Sequence, residues 1–204
     1  FSFAQSTNDN QDFKDGLLGT ATSSTKDQIR FLSSLHWDQL AQRISVLIEH
    51  EKEKFRQRGI INDYGVYGVF DPNQDQRKKT NSSAFEYRAD ISDKITLAVS
   101  TRWDDNSEFK NSNTYRFEAV YDLTSQARLR SAYGTAIKNP TFTERFGFYT
   151  NFIGNPFLKP EESTNLELGF DKKFSNANLN LSATIFRAEL ANEIDGNVFD
   201  PITF

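Results

Sequence analysis

The stretch "FEYRADISDKITLAVSTRWDD", Phe85 to Asp105, decides the fold. Phe85, Tyr87, Ala89 and Ile91 fall on one side of an extended chain; Glu86, Arg88 and Asp90 fall on the other. After Ser92 and Asp93 the pattern restarts, with Ile95, Leu97, Val99, Thr101 and Trp103 against Thr96, Ala98, Ser100, Arg102 and Asp104. Period-two alternation marks a strand with one apolar face, and so short a break between two such runs marks a hairpin.

The same pattern recurs on both sides. Ile29, Phe31, Leu35 and Trp37 oppose Gln28, Arg30, Ser34 and His36; Ile44, Val46 and Ile48 share a face. Tyr115, Phe117, Ala119 and Tyr121 oppose Arg116, Glu118, Val120 and Asp122. Leu166, Leu168 and Phe170 oppose Asn165, Glu167 and Asp171; Leu179, Leu181, Ala183 and Ile185 oppose Asn178, Asn180, Ser182 and Thr184. These runs last about 9–12 residues, the length a tilted strand needs to cross a bilayer. Eight full strands and a partial N-terminal one are expected, all antiparallel.

The connections carry an independent signal. Short links near 38–42, 92–93, 123–126 and 175–177 alternate with long ones expected near 6–25, 57–80, 105–112 and 137–162. Outer-membrane barrels have this asymmetry, with tight periplasmic turns and long extracellular loops. Trp37, Trp103, Tyr115, Tyr133, Phe174 and Phe186 stand near strand ends, where interfacial aromatic girdles are expected. The expectation is an all-β, antiparallel transmembrane barrel segment in contact with outer-membrane lipid. A set of nine strands does not close, so further strands are expected before residue 1 and after residue 204. The absence of Met points the same way, to an internal piece of a longer protein.

Composition agrees. The 204 residues carry a net charge of −4, 25 % charged and 14 % aromatic residues, with 19 Phe and no Cys. No apolar run approaches the roughly 20 residues of a spanning helix. Without Cys there are no disulfides or thiolate metal sites. No basic stripe suggests nucleic acid; the triplet Arg77-Lys78-Lys79 reads as a solvated loop. His36 and His50 read as solvated or lumen-lining, Asp104-Asp105-Asn106 as a hairpin tip, and Glu161-Glu162 as a loop terminus. No nucleophile elbow or phosphate-binding glycine loop is present, so the chain is not expected to be an enzyme or to hold a cofactor.

From Arg128 to Phe174 the chain resembles the late-barrel segment of TonB-dependent outer-membrane receptors. The resemblance rests on Tyr133-Gly134, Lys138-Asn139-Pro140, the box Gly154-Asn155-Pro156-Phe157-Leu158-Lys159-Pro160-Glu161, and Glu167-Leu168-Gly169. With the upstream "AFEYRADISDKITLAVSTRWDDNSEF", Ala84 to Phe109, and the downstream "LNLSATIFRAELANEI", Leu179 to Ile194, it covers about the last 120 residues. It implies a presumed 22-stranded barrel plugged by an N-terminal domain, and active uptake of a scarce nutrient energised through TonB. Neither the plug nor the TonB box lies within these 204 residues. The nutrient expected is cobalamin or a ferric siderophore, since haem receptors usually carry a His between the boxes and none lies from Lys138 to Glu161. Phe142, Phe146, Phe148, Tyr149 and Phe152 are the candidate ligand-contacting aromatics; the other reading, that they cover the barrel rim or pack against neighbouring loops, is slightly preferred. The alternatives are a passive porin or structural barrel, and a soluble β-sandwich binding domain.

Overall fold

The computed structural model describes residues 1–38, 41–63, 65–67, 69–149 and 152–195; the side chains of Lys14, Tyr67, Phe70, Phe148, Tyr149 and Phe152 fall outside the description. The strands are β1 (Ser2–Lys14), β2 (Leu17–Trp37), β3 (Gln42–Gly59), β4 (Asn62–Asp63), β5 (Val69–Phe70), β6 (Gln74–Ser92), β7 (Ile95–Asn106), β8 (Ser112–Thr124) and β9 (Ala127–Lys138). A short helix α1 (Phe142–Phe146) follows, then β10 (Phe148–Tyr149), β11 (Phe152–Ile153), β12 (Glu161–Phe174) and β13 (Leu179–Ala191).

Nine long strands form one sheet in the order β1-β2-β3-β6-β7-β8-β9-β12-β13, each antiparallel to the next. The sheet is open, with β1 and β13 at its edges. Sequential antiparallel pairing of this kind is the wall of an up-and-down barrel. The hairpins β4–β5 and β10–β11 lie in the long loops.

Register aligns the outward residues into rows. Ile48 faces Ser83, which faces Trp103; one row lower Val46, Phe85 and Thr101 align, and Tyr115 continues that row on β8. Val99, Phe117, Tyr133 and Leu166 form the next. These side chains are not covered: Ile48 is 57 % exposed, Phe117 49 %, Leu168 48 % and Ile185 70 %. Among the described residues the buried apolar side chains are Phe55, Ala89, Ala127 and Phe142, together with Pro72 and Pro140. Each large apolar side chain left in water forgoes about 1.5–3 kcal/mol. A band this size would outweigh the roughly 5–15 kcal/mol stability of an ordinary domain. The outward band therefore faces lipid, and a soluble sandwich is ruled out by the missing core. Trp103 stands at its upper border, and Tyr115 and Tyr133, with ring centroids 6.1 Å apart, follow in the rows beneath it.

The opposite face carries the charges. Arg43 pairs with Glu86 at 2.5 Å, Arg128 with Asp122 at 2.6 Å, and Arg130 with Asp171 at 2.7 Å. Arg130 can lie flat there because the next strand offers Gly169; a Cβ at Gly169 would come within 2.8 Å of its guanidinium. Phe186 departs from the expected girdle. It faces Glu167 in register and so shares the inner face with Thr184 and Ser182.

One expected loop is a hairpin instead. Residues 6–25 belong to β1 and β2, paired from Ser6↔Lys26 to Lys14↔Leu17 around a two-residue turn, Asp15-Gly16. Both turn residues have positive φ, 53° and 77°, the requirement of a tight hairpin that Asp-Gly meets well. The arm "STNDNQDFKDG" is polar on both faces because it projects beyond the lipid band, so alternation could not reveal it. The long connections are also tighter than expected, at 60–73, 107–111 and 139–160.

Candidate functional site: the loop cluster at the barrel mouth

The 139–160 connection is built as a folded unit. Its first turn is set by a capping box: the Glu144 amide donates to Thr141 Oγ1 at 3.1 Å, and the Thr141 amide donates to Glu144 Oε2 at 2.7 Å. Pro140, just ahead of the N-cap, is fully buried. After α1 the chain turns back, and the Gly154 and Asn155 amides donate to the carbonyls of Gly147 (2.8 Å) and Glu144 (2.9 Å). The two arms are in direct backbone contact. A Cβ on Gly154 would lie 2.6 Å from the Arg145 carbonyl carbon and 2.7 Å from the Phe146 nitrogen. Glycine is therefore required by proximity at this position. Asn155 closes an Asx turn by accepting the Phe157 amide at 2.9 Å, and Leu158 donates to the Asn155 carbonyl at 3.3 Å.

Three aromatic–cation contacts fasten this unit. Phe142 enters the barrel interior and stacks on Phe55 of β3, with centroids 5.8 Å apart and planes at 25°. Phe55 lies on the inner face with Glu53, whose carboxylate pairs with Lys78 at 2.9 Å; the Lys78 ammonium also stands 5.7 Å over the Phe142 ring. Arg145 fills the gap towards the neighbouring loop. Its guanidinium lies 5.0 Å from the Phe109 ring, 4.6 Å from the Phe146 ring and 3.4 Å from Glu108. Cation–π contacts of this type contribute about 0.5–2 kcal/mol each, more as water is excluded. At the base, Lys138 faces Glu161 in register and pairs with it at 2.9 Å, reaching Glu144 at 3.6 Å. Glu161 also accepts the Ile194 amide at 2.7 Å. That amide and the Lys138 ammonium together hold the Glu161 carboxyl below the usual carboxylate range.

The motif residues thus divide by role. Lys138, Pro140, Gly154, Asn155 and Glu161 meet around α1, with the Pro156 carbonyl accepting from Arg145 Nε at 3.4 Å. Leu158 and Pro160 lie on the return path to β12. Gly134 allows Tyr115 and Arg116 close by, its Cβ position lying 3.1 Å from the Tyr115 carbonyl oxygen. Tyr133, Glu167 and Gly169 lie lower, in the wall. Of the aromatic candidates, Phe142 is 8 % exposed and packed against Phe55, where it anchors the loop. Phe146 packs on Arg145 and lies 6.4 Å from Phe142. The side chains of Phe148, Tyr149 and Phe152 lie outside the described residues; their backbones form the β10–β11 hairpin. Sequence reasoning missed Phe55, Lys78, Phe109 and Arg145. The lone ring of Phe55 among the charges of "EKEKFRQR" was the available signal.

Below the loop cluster the inner wall is densely ion-paired. Glu49, whose side chain is 6 % exposed, accepts from Arg30 Nε at 2.8 Å, Gln28 Nε2 at 2.9 Å and Arg102 at 3.1 Å. Arg102 in turn donates to Asp104 at 2.9 Å and to Ser82 Oγ at 2.8 Å. No cluster of three or more potential metal ligands occurs among the described residues.

Comparison with known proteins agrees with this architecture. The model of the TonB dependent receptor-like β-barrel family matches residues 1–204. Two curated relatives are both named vitamin B12 transporter BtuB. The one from Photobacterium profundum is 41 % identical over 69 residues, 34 % of this chain and 11 % of the relative. The one from Vibrio vulnificus is 27 % identical over 177 residues, 86 % of this chain and 26 % of the relative. The chain thus spans about a quarter or less of these relatives' length. Among solved structures, the siderophore receptor PirA from Pseudomonas aeruginosa superposes with a TM-score of 0.69 at 19 % identity, covering 83 % of this chain and 32 % of that one. The ferric enterobactin receptor PfeA from the same species, in complex with enterobactin, gives a TM-score of 0.69 at 16 % identity, covering 92 % and 32 %. At such identities the two structures show a shared fold. The chain belongs to the TonB-dependent receptor β-barrel family of the bacterial outer membrane.

Proposed function

We propose that this chain forms part of the wall and mouth of a receptor that takes up a scarce nutrient, cobalamin or a ferric siderophore, across the outer membrane. TonB energises the step through a plug domain carried elsewhere in the protein. The observation that carries the reading is the 139–160 unit, pinned inside the mouth by Phe142 on Phe55 and by Arg145 between Phe109 and Phe146. A loop folded back over a charged wall, built on its own capping box and aromatic–cation contacts, gives the mouth a fixed shape against which a ligand can be selected. The names of the two curated relatives favour cobalamin. Growth rescue of a receptor-deficient strain by the full-length protein tests the proposal, on cobalamin and on ferric siderophore, with and without TonB. Rescue on one nutrient that disappears without TonB is the expected result. Rescue independent of TonB, or steady solute leakage through reconstituted protein, would replace it with a passive pore.

A further inference from the structure

The triplet Arg77-Lys78-Lys79 is strand, not solvated loop, and the pleat divides it. Lys78 turns inward to Glu53 and Phe142, while Arg77 and Lys79 turn outward. On β3 the outward residues at the same level are Lys52 and Lys54. Register sets Lys52 directly opposite Lys79, and Lys54 directly opposite Arg77. Four cations are therefore packed two by two on one outer patch, where directly opposed like charges are destabilising.

One outward carboxylate, Asp27, stands in register with Lys52, too little to balance four cations. None of the four side chains has an ion-pair or hydrogen-bond partner among the described residues. The nearby carboxylates are engaged otherwise: Asp27, opposite Lys52 on β2, accepts Gln5 Nε2 at 2.6 Å, and Asp75 pairs with Arg56 and Arg58. The contrast with the inner face at the same height is direct, since there Lys26 pairs with Glu51 and Lys78 with Glu53. The inner carboxylates pair with the cations at this height, whereas outward Asp27 and Asp75 form no ion pair with these four.

Height identifies what supplies the missing charge. The outward apolar band ends at the row Ile48, Ser83, Trp103, and the next row is His50, Asn81, Asp105. Lys52 and Lys79 stand four residues beyond the band's last row on their strands. At about 3.3 Å per residue and a tilt near 40°, that is roughly 10 Å. The headgroup layer begins at the hydrocarbon edge and extends about 5–8 Å or more. Lysine and arginine reach back down into it by their flexible stems. We propose that Lys52, Lys54, Arg77 and Lys79 form a docking patch for a phosphorylated lipid headgroup of the outer leaflet. The phosphates sit between the two opposed cation pairs and convert a repulsive cluster into charge-assisted hydrogen bonds.

The test uses the full-length receptor in a neutral detergent, with diphosphoryl lipid A, its dephosphorylated form and inorganic phosphate as probes. The quadruple variant Lys52→Gln, Lys54→Gln, Arg77→Gln, Lys79→Gln is compared with a control, Lys94→Gln with Lys173→Gln, at the opposite end of the strands. Native mass spectrometry is expected to show diphosphoryl lipid A bound at least about tenfold more tightly by wild type and control than by the quadruple variant. Removing the lipid phosphates should abolish that difference. Without lipid, the variant's thermal midpoint should equal or exceed that of wild type, because repulsion is relieved. Equal lipid binding by the variant, binding indifferent to the phosphates, or a lowered lipid-free midpoint would overturn the proposal. Displacement of the lipid by millimolar inorganic phosphate would overturn it in favour of a free-anion site.

Discussion

Phe142, on the mouth loop, stacks on Phe55, on the inner wall of β3, with ring centroids 5.8 Å apart. The two positions are far apart in sequence, and this pair is what turns a long connection into a part of the barrel mouth. Both rings are almost fully buried, at 8 % and 4 % exposure. Replacing either by Ala removes an anchor of the kind that costs about 3–5 kcal/mol in a packed core. Because only the loop depends on it, the wall should stay folded. Limited proteolysis of Phe142→Ala is expected to cut within 139–160 at least tenfold faster than wild type, with the rest of the barrel resistant. Double substitution with Phe55→Ala should add little to the single change.

Gly154 sits where its own loop leaves no room. Gly154→Ala would place a methyl 2.6–2.8 Å from the backbone of Arg145 and Phe146, atoms that cannot swing aside. A loss of about 1–3 kcal/mol in loop stability is expected, read as faster amide exchange at Gly154 and Asn155. Gly19→Ala, where the nearest atom is an ordinary 3.4 Å away, should leave exchange unchanged.

The two faces of β7 should respond oppositely to charge. Leu97→Arg puts a cation on the lipid side and is expected to cost about 2–4 kcal/mol if near the midplane. Ser100→Arg, on the inner face between Glu86 and Arg116, should cost far less. Denaturant unfolding of the full-length protein in lipid vesicles gives both values.

Glu161 is held ionised by the Ile194 amide and by Lys138. A carboxyl whose folded pKa is depressed contributes stability that is complete above its ordinary value, 4.5, and is lost as pH falls through the folded value. The base of the loop should therefore loosen only below pH 4.5, seen as faster exchange of the Ile194 amide. Glu161→Gln should remove that pH dependence and leave exchange fast throughout.

How much of this was legible in sequence follows from where each residue sits relative to lipid. Between Ile95 and Trp103 the environment changes at every residue, so the pleat is written directly as alternation. Above the band both faces meet water, and the signal disappears; the arm from Ser6 to Thr25 reads as a loop although its two strands pair on either side of the Asp15-Gly16 turn. The Gly-Asn-Pro box was visible as a motif, but its purpose depends on Arg145 and Phe146, which lie eight or nine residues earlier and meet it only in space. Phe55 and Phe142 belong to distant parts of the chain, and no local pattern joins them. Phe142 was expected as a possible ligand contact because an aromatic in a loop looks the same whether it meets a ligand or a wall.

The central claim is that one face of this sheet meets lipid and the other a hydrated interior. The chain has no Cys, so single cysteines at consecutive positions from 95 to 103 can each carry a spin label without background from this segment. In the full-length protein in lipid vesicles, labels at 97, 99 and 101 should be relaxed by oxygen, which partitions into lipid. Labels at 98, 100 and 102 should instead be relaxed by a water-soluble nickel chelate. Strict alternation of the two is the predicted result. Uniform accessibility to the chelate along all nine positions, or alternation in the opposite phase, would contradict the account.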